Sequence, residues 1–325
     1  MPGMIATRIA YHYNLKGPIM LVDTACSSAL TSLKIACESM ENGDCSAALV
    51  GGMNIVLYPS KTGIYGDKGI MSKDFVCRPF DELGNGTVVG EGIICFYVEP
   101  LRSAIECHKH KYAVLKSIAV NSVGKGNGIT APSSSSQVKV IQKALSLANI
   151  SPSEISFLEC HGTGTMLGDR IELSALCEVF SPGSRTDKLA IGSIKSAFGH
   201  LDSAAGFAGL LKIIASFMFQ NIPTTLNFKR PHSELKKSHL YVPNKIVKWE
   251  VNDNQRRIAG LSSFGLTGTN CHAILSDSFP FPSTCSAEKY KVAGYLPLLL
   301  SGASYEHVKK QACLHESLVT HTVQR

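Results

Sequence analysis

One cysteine and two histidines stand where this sequence could do chemistry. Cys26 lies in Asp23-Thr24-Ala25-Cys26-Ser27-Ser28, between a short aliphatic run and a helically spaced one. A thiol there points out of a sharp turn at a helix N-terminus. The helix macrodipole favours the thiolate, so the position predicts a lowered pKa and a nucleophile. A buried structural cysteine would fit the same neighbours. His161 opens His161-Gly162-Thr163-Gly164-Thr165 at the end of the run 155–160, and His200 closes Lys195-Ser196-Ala197-Phe198-Gly199-His200 after the run 189–194. Both fall at the carboxyl ends of expected strands, where open α/β sheets place ligands. The pairing of a strand-end thiol with two such imidazoles points to a Cys–His–His site. A zinc reading of the trio needs a fourth ligand or water, and nothing in the spacing requires metal. The run 262–270, small residues around one aromatic (Phe264), follows another strand. Its backbone N–H groups could face an oxyanion, although an ordinary tight turn has the same composition.

The elements that must carry these residues alternate between two periodicities. Residues 19–22 form an aliphatic run that predicts a buried strand. Cys26, Ala29, Leu30, Leu33, Ala36, Cys37 and Met40 then fall at helical spacing. Strands are expected at 47–50, ending in a tight bend at Gly51-Gly52, and at 93–98 after the turn-rich stretch 81–86. A second series follows: a strand at 113–120, a Gly/Ser loop at 124–136, and a helix marked by Val138, Ile141, Leu145 and Ala148. Strands at 155–160 and 189–194 alternate with helices at 170–179 and 204–219, and strands at 258–261 and 271–275 close the series. This alternation predicts an α/β fold with buried, mostly parallel sheets. The last 45 residues or so change character: 279–286 is rich in Pro and Ser, and 304–323 is spaced like a separate helix.

Composition bounds the function. The chain has 325 residues, 44% hydrophobic and 18% charged, enough for a sizeable core and too apolar for a disordered chain. The net charge is +7, from 32 Lys+Arg against 25 Asp+Glu. That surplus needs no nucleic acid to explain it and suits an acidic protein partner. The eleven cysteines form no CxxC pair, which leaves little for a zinc ribbon and predicts a reducing, cytoplasmic compartment without disulfides. No signal peptide is evident at the start, and the most apolar helix, 204–219, is interrupted by Lys212 and short for a membrane span. The segment 124–128 lacks both phosphate-loop patterns. Lys34 and Glu38 form an i,i+4 pair on a solvated helix face. Lys229, Arg230, Lys236 and Lys237 decorate the surface, where they could help dock an acidic carrier.

Taken together the segments resemble a β-ketoacyl synthase, the condensing domain of polyketide and fatty-acid synthases. DTACSSAL (23–30) is similar to the family's nucleophile motif, and CRPFDELGNGTVVGEG (77–92) to the segment leading to the last strand of the first half. HGTGTMLGDRIE (161–172) and IGSIKSAFGHLDSAAG (191–206) are similar to the segments with the two catalytic histidines, and SSFGLTGTNCHAIL (262–275) to the closing motif. They occur in the family's order over about residues 6–275. The style of 58–72 and 127–133 is similar to modular polyketide synthases, among them those whose acyltransferase acts in trans.

The resemblance implies a thiolase-like fold: two duplicated α/β halves in α-β-α-β-α layers. The first half looks incomplete, because the sequence enters shortly before the nucleophile strand. The expected organisation is an incomplete N-terminal half (1–110), a C-terminal half with both histidines (111–278), and the start of a post-ketosynthase linker (279–325). By resemblance Cys26 takes an acyl chain from the phosphopantetheine of an acyl carrier protein. His161 and His200 promote decarboxylation of a malonyl thioester. Backbone N–H groups of Cys26 and Phe264 form the oxyanion hole, and Thr163 and Thr165 bind the pantetheine arm. Lys195 is the family's buried lysine, with Glu172 as its salt-bridge partner. No cofactor or metal is implied for the domain itself. The partners implied are the carrier protein, adjacent synthase domains and a second copy, paired through 19–22; neither nucleic acid nor membrane is expected.

Two positions depart from the family pattern. Ala197 stands where Asn is usual, which implies a looser loop around His200, and Arg170 stands where Pro is usual. The competing readings are an elongating acyltransferase of the 3-oxoacyl-carrier synthase type and a truncated, non-catalytic remnant that only binds carrier or partner. A cysteine hydrolase shares the nucleophile but leaves the Lys195 segment and the second histidine unexplained.

Overall fold

The computed structural model describes residues 3–57, 66, 69–126, 128, 130–180, 188–236, 238–252, 255–278 and 309. The chain divides into two units, Met1–Phe281 and Pro282–Arg325. The expected linker and the helix at 304–323 lie outside the described residues, apart from Lys309.

The first unit begins with a helix the periodicity did not predict, α1 (Met4–His12). Residues 19–22 are not a strand. Ile19, Met20 and Leu21 are about half exposed, and no described strand pairs with them. A strand exists only against a partner, and within the described residues this run has none. The nucleophile segment leads into α2 (Ser28–Glu41). β1 (Ala48–Asn54) and β2 (Gly92–Val98) then pair antiparallel over seven residues each. β1 runs straight through Gly51-Gly52, where a bend was expected. A Cβ at Gly52 would lie 3.1 Å from the Ala204 Cα and 3.2 Å from the Phe207 ring, so the glycine serves close packing and not a turn.

After α3 (Leu101–Glu106) comes β3 (Val114–Ser122), then α4 (Ser134–Ala148), capped by the Ser133 hydroxyl accepting the Ser136 N–H. β4 (Phe157–Glu159), α5 (Met166–Val179), β5 (Leu189–Gly192) and the short α6 (Lys195–Phe198) follow. Next are α7 (Ala205–Phe219), β6 (Asn221–Ile222), α8 (Ser233–Lys236), β7 (Leu240–Tyr241) and β8 (Val247–Lys248). β9 (Ile258–Phe264) and β10 (Thr269–Ser276) complete the unit. The main sheet has the order β3-β10-β9-β4-β5-β7, and β6 pairs β8 apart from it. β9, β4, β5 and β7 are parallel neighbours, whereas β10 is antiparallel to both β3 and β9, so the sheet is mixed.

Two apolar cores flank this sheet. On one side Val140, Ile141 and Leu145 of α4 and Leu173 and Leu176 of α5 pack with Leu158 and Ile191. On the other, Leu30 and Leu33 of α2 and Phe207, Leu210, Ile213 and Phe217 of α7 pack between the main sheet and Val50 of the β1–β2 ladder. The described layers are thus ladder, helices, sheet, helices. The outer face of the ladder carries exposed Leu49, Ile93 and Tyr97. The stretch Asp202–Phe219 spans 18 residues with a mean hydropathy of 1.4, enough in length to cross a membrane, but it is 61% buried as the middle-layer helix.

Phe207 anchors that layer: it is fully buried and meets Phe96 edge-on at 5.2 Å. Phe207→Ala is expected to cost about 3–5 kcal/mol through lost burial and the cavity left. A fall in the denaturant midpoint at unchanged slope checks it, and a cost below about 1 kcal/mol would contradict this packing.

Candidate active site

The nucleophile turn is held from all sides. Ala25 has a φ of 54°, an uncommon conformation for a residue with a Cβ, and stands immediately before Cys26. The Asp23 carboxylate accepts the Ala25 N–H at 3.0 Å. The Ser28 hydroxyl accepts the Thr24 N–H and donates to the Ala25 carbonyl, at 2.9 and 2.6 Å. Ser263 on β9 donates to the Cys26 carbonyl at 2.7 Å. Gly265, in the turn between β9 and β10, packs directly against the Thr24 carbonyl, and a Cβ there would lie 2.8 Å from the Ser27 Oγ. The bend 262–270 is therefore a hairpin whose job includes clamping the cysteine turn.

His161 follows β4. Its backbone N–H and that of Gly162 donate to the two oxygens of Glu172 on α5, each at 2.8 Å. Its ring lies 5.6 Å from the Phe264 ring and, at 82°, 5.6 Å from the His200 ring. His200 is fixed by its backbone: its N–H donates to the Val88 carbonyl at 2.6 Å, and its carbonyl accepts from Gly90 at 2.9 Å. Ala197 is exposed, and this backbone pairing, not the residue at 197, holds His200. The Asp202 N–H donates to His200 Nδ1 at 3.0 Å, which leaves the proton of the neutral ring on Nε2. The Cys26 sulfur and one ring nitrogen from each of His161 and His200 lie within 4.8 Å of one another. The sequence-predicted trio is thus brought together. Its donor set could also hold a soft cation, which the sequence spacing had not required.

The electrostatics reverse one expectation. Cys26 was expected to have a lowered pKa at the head of α2. Burial instead pushes its thiol up to about 12, helped by the carboxylate of Asp202, whose Oδ1 lies 3.7 Å from the sulfur; Lys195 opposes the shift only in part. The macrodipole acts at a helix end, whereas here desolvation wins. Burial, then the charge of Lys195, holds His161 well below the usual imidazole range, so it is neutral at pH 7.

Lys195 is 4% exposed, and its charge acts on Cys26, His161, Asp169 and Glu172. The expected Lys195–Glu172 ion pair is not formed among the described residues, because both oxygens of Glu172 are turned onto backbone N–H groups. The buried pair is instead Lys212 with Glu159, at 2.7 Å. Glu159 also accepts the Ile194 N–H at 2.6 Å, tying the end of β4 to the start of the His200 loop. Asp169 accepts from Phe80 at 2.7 Å and Gly164 at 3.1 Å. Burial raises Asp169 and Glu172 to about 7 in spite of these bonds. Sequence reading missed Glu159, Asp169 and Asp202. The one signal available was an acidic residue beside each motif.

Thr163 and Thr165 sit side by side at the head of α5, half-buried, with their hydroxyls 2.9 Å apart. Phe264 is buried at the end of β9. Arg170 is turned outward to Glu234 at 3.1 Å, away from the cysteine. Lys34 and Glu38 form the expected surface pair. The backbone N–H groups of Lys229 and Arg230 are held by Asp81 at 2.5 and 2.7 Å; Lys237 lies outside the described residues.

Mixed α/β layers with a cysteine at a helix head and two histidines at loop ends define a thiolase-like condensing-enzyme architecture. The family model "Beta-ketoacyl synthase, N-terminal domain" matches residues 1–104, and "Beta-ketoacyl synthase, C-terminal domain" matches 112–229. The chain belongs to the β-ketoacyl synthase family. It is 41% identical over 292 residues to the polyketide synthase PksM of Bacillus subtilis, covering 86% of this chain and 7% of that protein. It is 37% identical over 308 residues to the erythronolide synthase EryA3 of Saccharopolyspora erythraea, covering 94% and 10%. Among solved structures, the ketosynthase from module 6 of the bacillaene synthase of Bacillus subtilis superposes with a TM-score of 0.85 at 36% identity. That match covers 98% of this chain and 55% of the other. The chain therefore spans about half the length of the solved ketosynthase and less than a tenth of PksM. The segments suggesting a synthase with an acyltransferase in trans, 58–72 and 127–133, lie in part outside the described residues.

A thiol raised to about 12 titrates far above neutral pH. Alkylation of Cys26 by iodoacetamide, followed by peptide mass spectrometry, should rise about tenfold per pH unit from pH 7 to 10 with no plateau, because only the thiolate reacts. A plateau below pH 9 would show that the helix end, not burial, controls the sulfur.

Proposed function

We propose that the chain carries out the decarboxylative Claisen condensation of a β-ketoacyl-(acyl carrier protein) synthase in polyketide assembly. The observation carrying this reading is the convergence of the Cys26 sulfur with the His161 and His200 nitrogens within 4.8 Å, from three separate loops. Cys26 attacks a carrier-bound thioester, and the acyl group moves to its sulfur as the carrier's pantetheine thiol leaves. Backbone N–H groups of Cys26 and Phe264 stabilise the tetrahedral oxyanion. A malonyl thioester then enters. Two neutral imidazoles, each with one N–H to give, hold the thioester oxygen as CO2 departs and the enolate forms. The enolate carbon attacks the Cys26 thioester, a C–C bond forms, and the cysteine sulfur is released.

The adjacent hydroxyls of Thr163 and Thr165, two and four positions after His161, suit the polar pantetheine arm. Lys195 sets the charge balance around the buried groups, and Glu172 positions His161 through its backbone. The partners proposed are an acyl carrier protein, with its phosphopantetheine as the substrate's tether, and neighbouring synthase domains in a cytoplasmic assembly. A second copy of the chain is proposed to pair with the run 19–22, where Ile19, Met20 and Leu21 are about half exposed and no ladder forms within the described residues. The domain organisation proposed is two halves meeting near residue 110 and a linker from 279.

Incubation with a small acyl thioester should add one acyl mass to the chain and none to Cys26→Ala. His161→Ala and His200→Ala should still take the acyl group but lose malonyl decarboxylation by about 10²–10⁴-fold. Acyl uptake persisting in Cys26→Ala would sink the assignment of the nucleophile.

A further inference from the structure

The residue that joins the two reactive groups is one the motifs do not single out. Asp202 opens the short turn Asp202–Ala204 that leads into α7. Its backbone N–H donates to His200 Nδ1 at 3.0 Å, and its carboxylate Oδ1 lies 3.7 Å from the Cys26 sulfur, within reach of an S–H donor. It holds a φ of 45°, an uncommon conformation for a residue with a Cβ, which its surroundings must hold in place. They do: the Ser203 hydroxyl donates to the Met53 carbonyl at 2.6 Å, and Ala204 fills the space that a side chain at Gly52 would need. Strain maintained by packing from β1, at a residue touching both the nucleophile and a catalytic histidine, is a functional geometry.

We propose that Asp202 is the general base of the acyl-loading step, taking the Cys26 proton as the sulfur attacks. The Sγ–H bond breaks and an Oδ1–H bond forms while the sulfur bonds to the carrier thioester carbon. When the tetrahedral adduct collapses, the carbon–sulfur bond to the pantetheine breaks and the proton on Asp202 passes to that leaving thiolate. Cysteine acylated, carrier thiol protonated and carboxylate restored, the step balances with no other reactant. This role follows from the contact: the Asp202 Oδ1 is an acceptor within reach of the Cys26 S–H, on the residue whose backbone N–H holds His200 Nδ1. The histidines keep the decarboxylation as their part of the reaction. The inference rests on the reading of Cys26 as the acyl acceptor.

Asp202→Asn separates a base from a mere spacer. Asn keeps the shape and tolerates the left-handed conformation, but it carries no charge and is a poor proton acceptor. Two readouts should then move in opposite directions. Acyl loading at pH 7 should slow by about 10²-fold or more. Iodoacetamide alkylation of Cys26 at pH 8 should become faster, because a negative charge near the sulfur has been removed. Asp202→Glu should recover part of the loading rate. Loading as fast as in the wild type overturns the proposal. So does a parallel fall of both rates, which marks a structural role, or alkylation that is not accelerated. A wild type that alkylates at Cys26 yet takes up no acyl group refutes the proposed function itself, and this step with it.

Discussion

Three buried carboxylates hold the site together, and the rest of the arrangement depends on them. Glu159, Asp169 and Glu172 are all but inaccessible, and each has turned an oxygen onto backbone N–H groups of the loops that carry the chemistry. Those loops have left the sheet, and Gly162 and Gly164 take φ values of 39° and 74°. Their N–H groups therefore have no ladder to donate to, and a buried N–H without an acceptor is costly. A carboxylate offers the strongest acceptor, but burying it is costly too, as the rise of Asp169 and Glu172 to about 7 records. Lys212 beside Glu159 and the charge of Lys195 offset part of that cost. Well-packed apolar side chains would make a more stable floor. What the carboxylates supply is a fixed path for the chain between β4 and His161, and between β5 and His200.

The same dryness governs the reactive groups. The environment that strengthens an N–H bond to an oxyanion also disfavours charge on an isolated sulfur or imidazole. Cys26 and His161 respond alike and both rest neutral. Neutral imidazoles are what a decarboxylation needs, since each has a proton to donate to a forming enolate and no positive charge to attract the malonyl carboxylate into a stable ion pair. A neutral thiol is less convenient, because the nucleophile must shed a proton as it reacts. The Lys195 charge eases this for the sulfur but works in the same direction as burial on His161, so one cation serves both residues.

Much of this was legible in the sequence, and the failures have a common cause. Periodicity located β4, α5, β5, α7, β9 and β10 because their signals are local: side-chain alternation, or burial on one helical face. Motif order brought Cys26, His161 and His200 to one place. The run 19–22 has the composition of a strand, but being a strand is a relation to another segment and no local pattern contains it. Gly51-Gly52 looked like a bend because glycine is common in bends; the residue that makes glycine necessary, Ala204, is far along the chain. The Cys26 thiol follows the same pattern: the helix end is adjacent in sequence, whereas the burial that raises it, and the Asp202 carboxylate that adds to it, come from segments distant in the chain, Asp202 being 176 positions away. The pairing of Glu172 with Lys195 came from the family resemblance, while the partners its oxygens meet are the backbone N–H groups of His161 and Gly162, which carry no side-chain signal.

One helix contact lies between Cys26 and the segment that carries His200 and Asp202. Cys26 stands at the head of α2, whereas His200 and Asp202 precede α7, and these helices lie together in the layer between the ladder and the main sheet. A Cβ at Gly206, in the first turn of α7, would lie 2.7 Å from the Leu30 Cγ and 3.4 Å from the Ala29 Cβ. Leu30 is fully buried, so it has no room to withdraw. The absence of a side chain at Gly206 therefore lets Leu30 and Ala29, in the first turn of α2, pack directly on the backbone of the first turn of α7, and those turns follow Cys26 and Asp202 in the chain. Next to this contact the Cys26 sulfur and the Asp202 carboxylate lie 3.7 Å apart. The small residues of Ser203-Ala204-Ala205-Gly206 then have a geometric meaning. Gly206 serves the contact with α2, whereas Ser203 and Ala204 meet Met53 and Gly52 of β1, so the turn before α7 is packed from two sides.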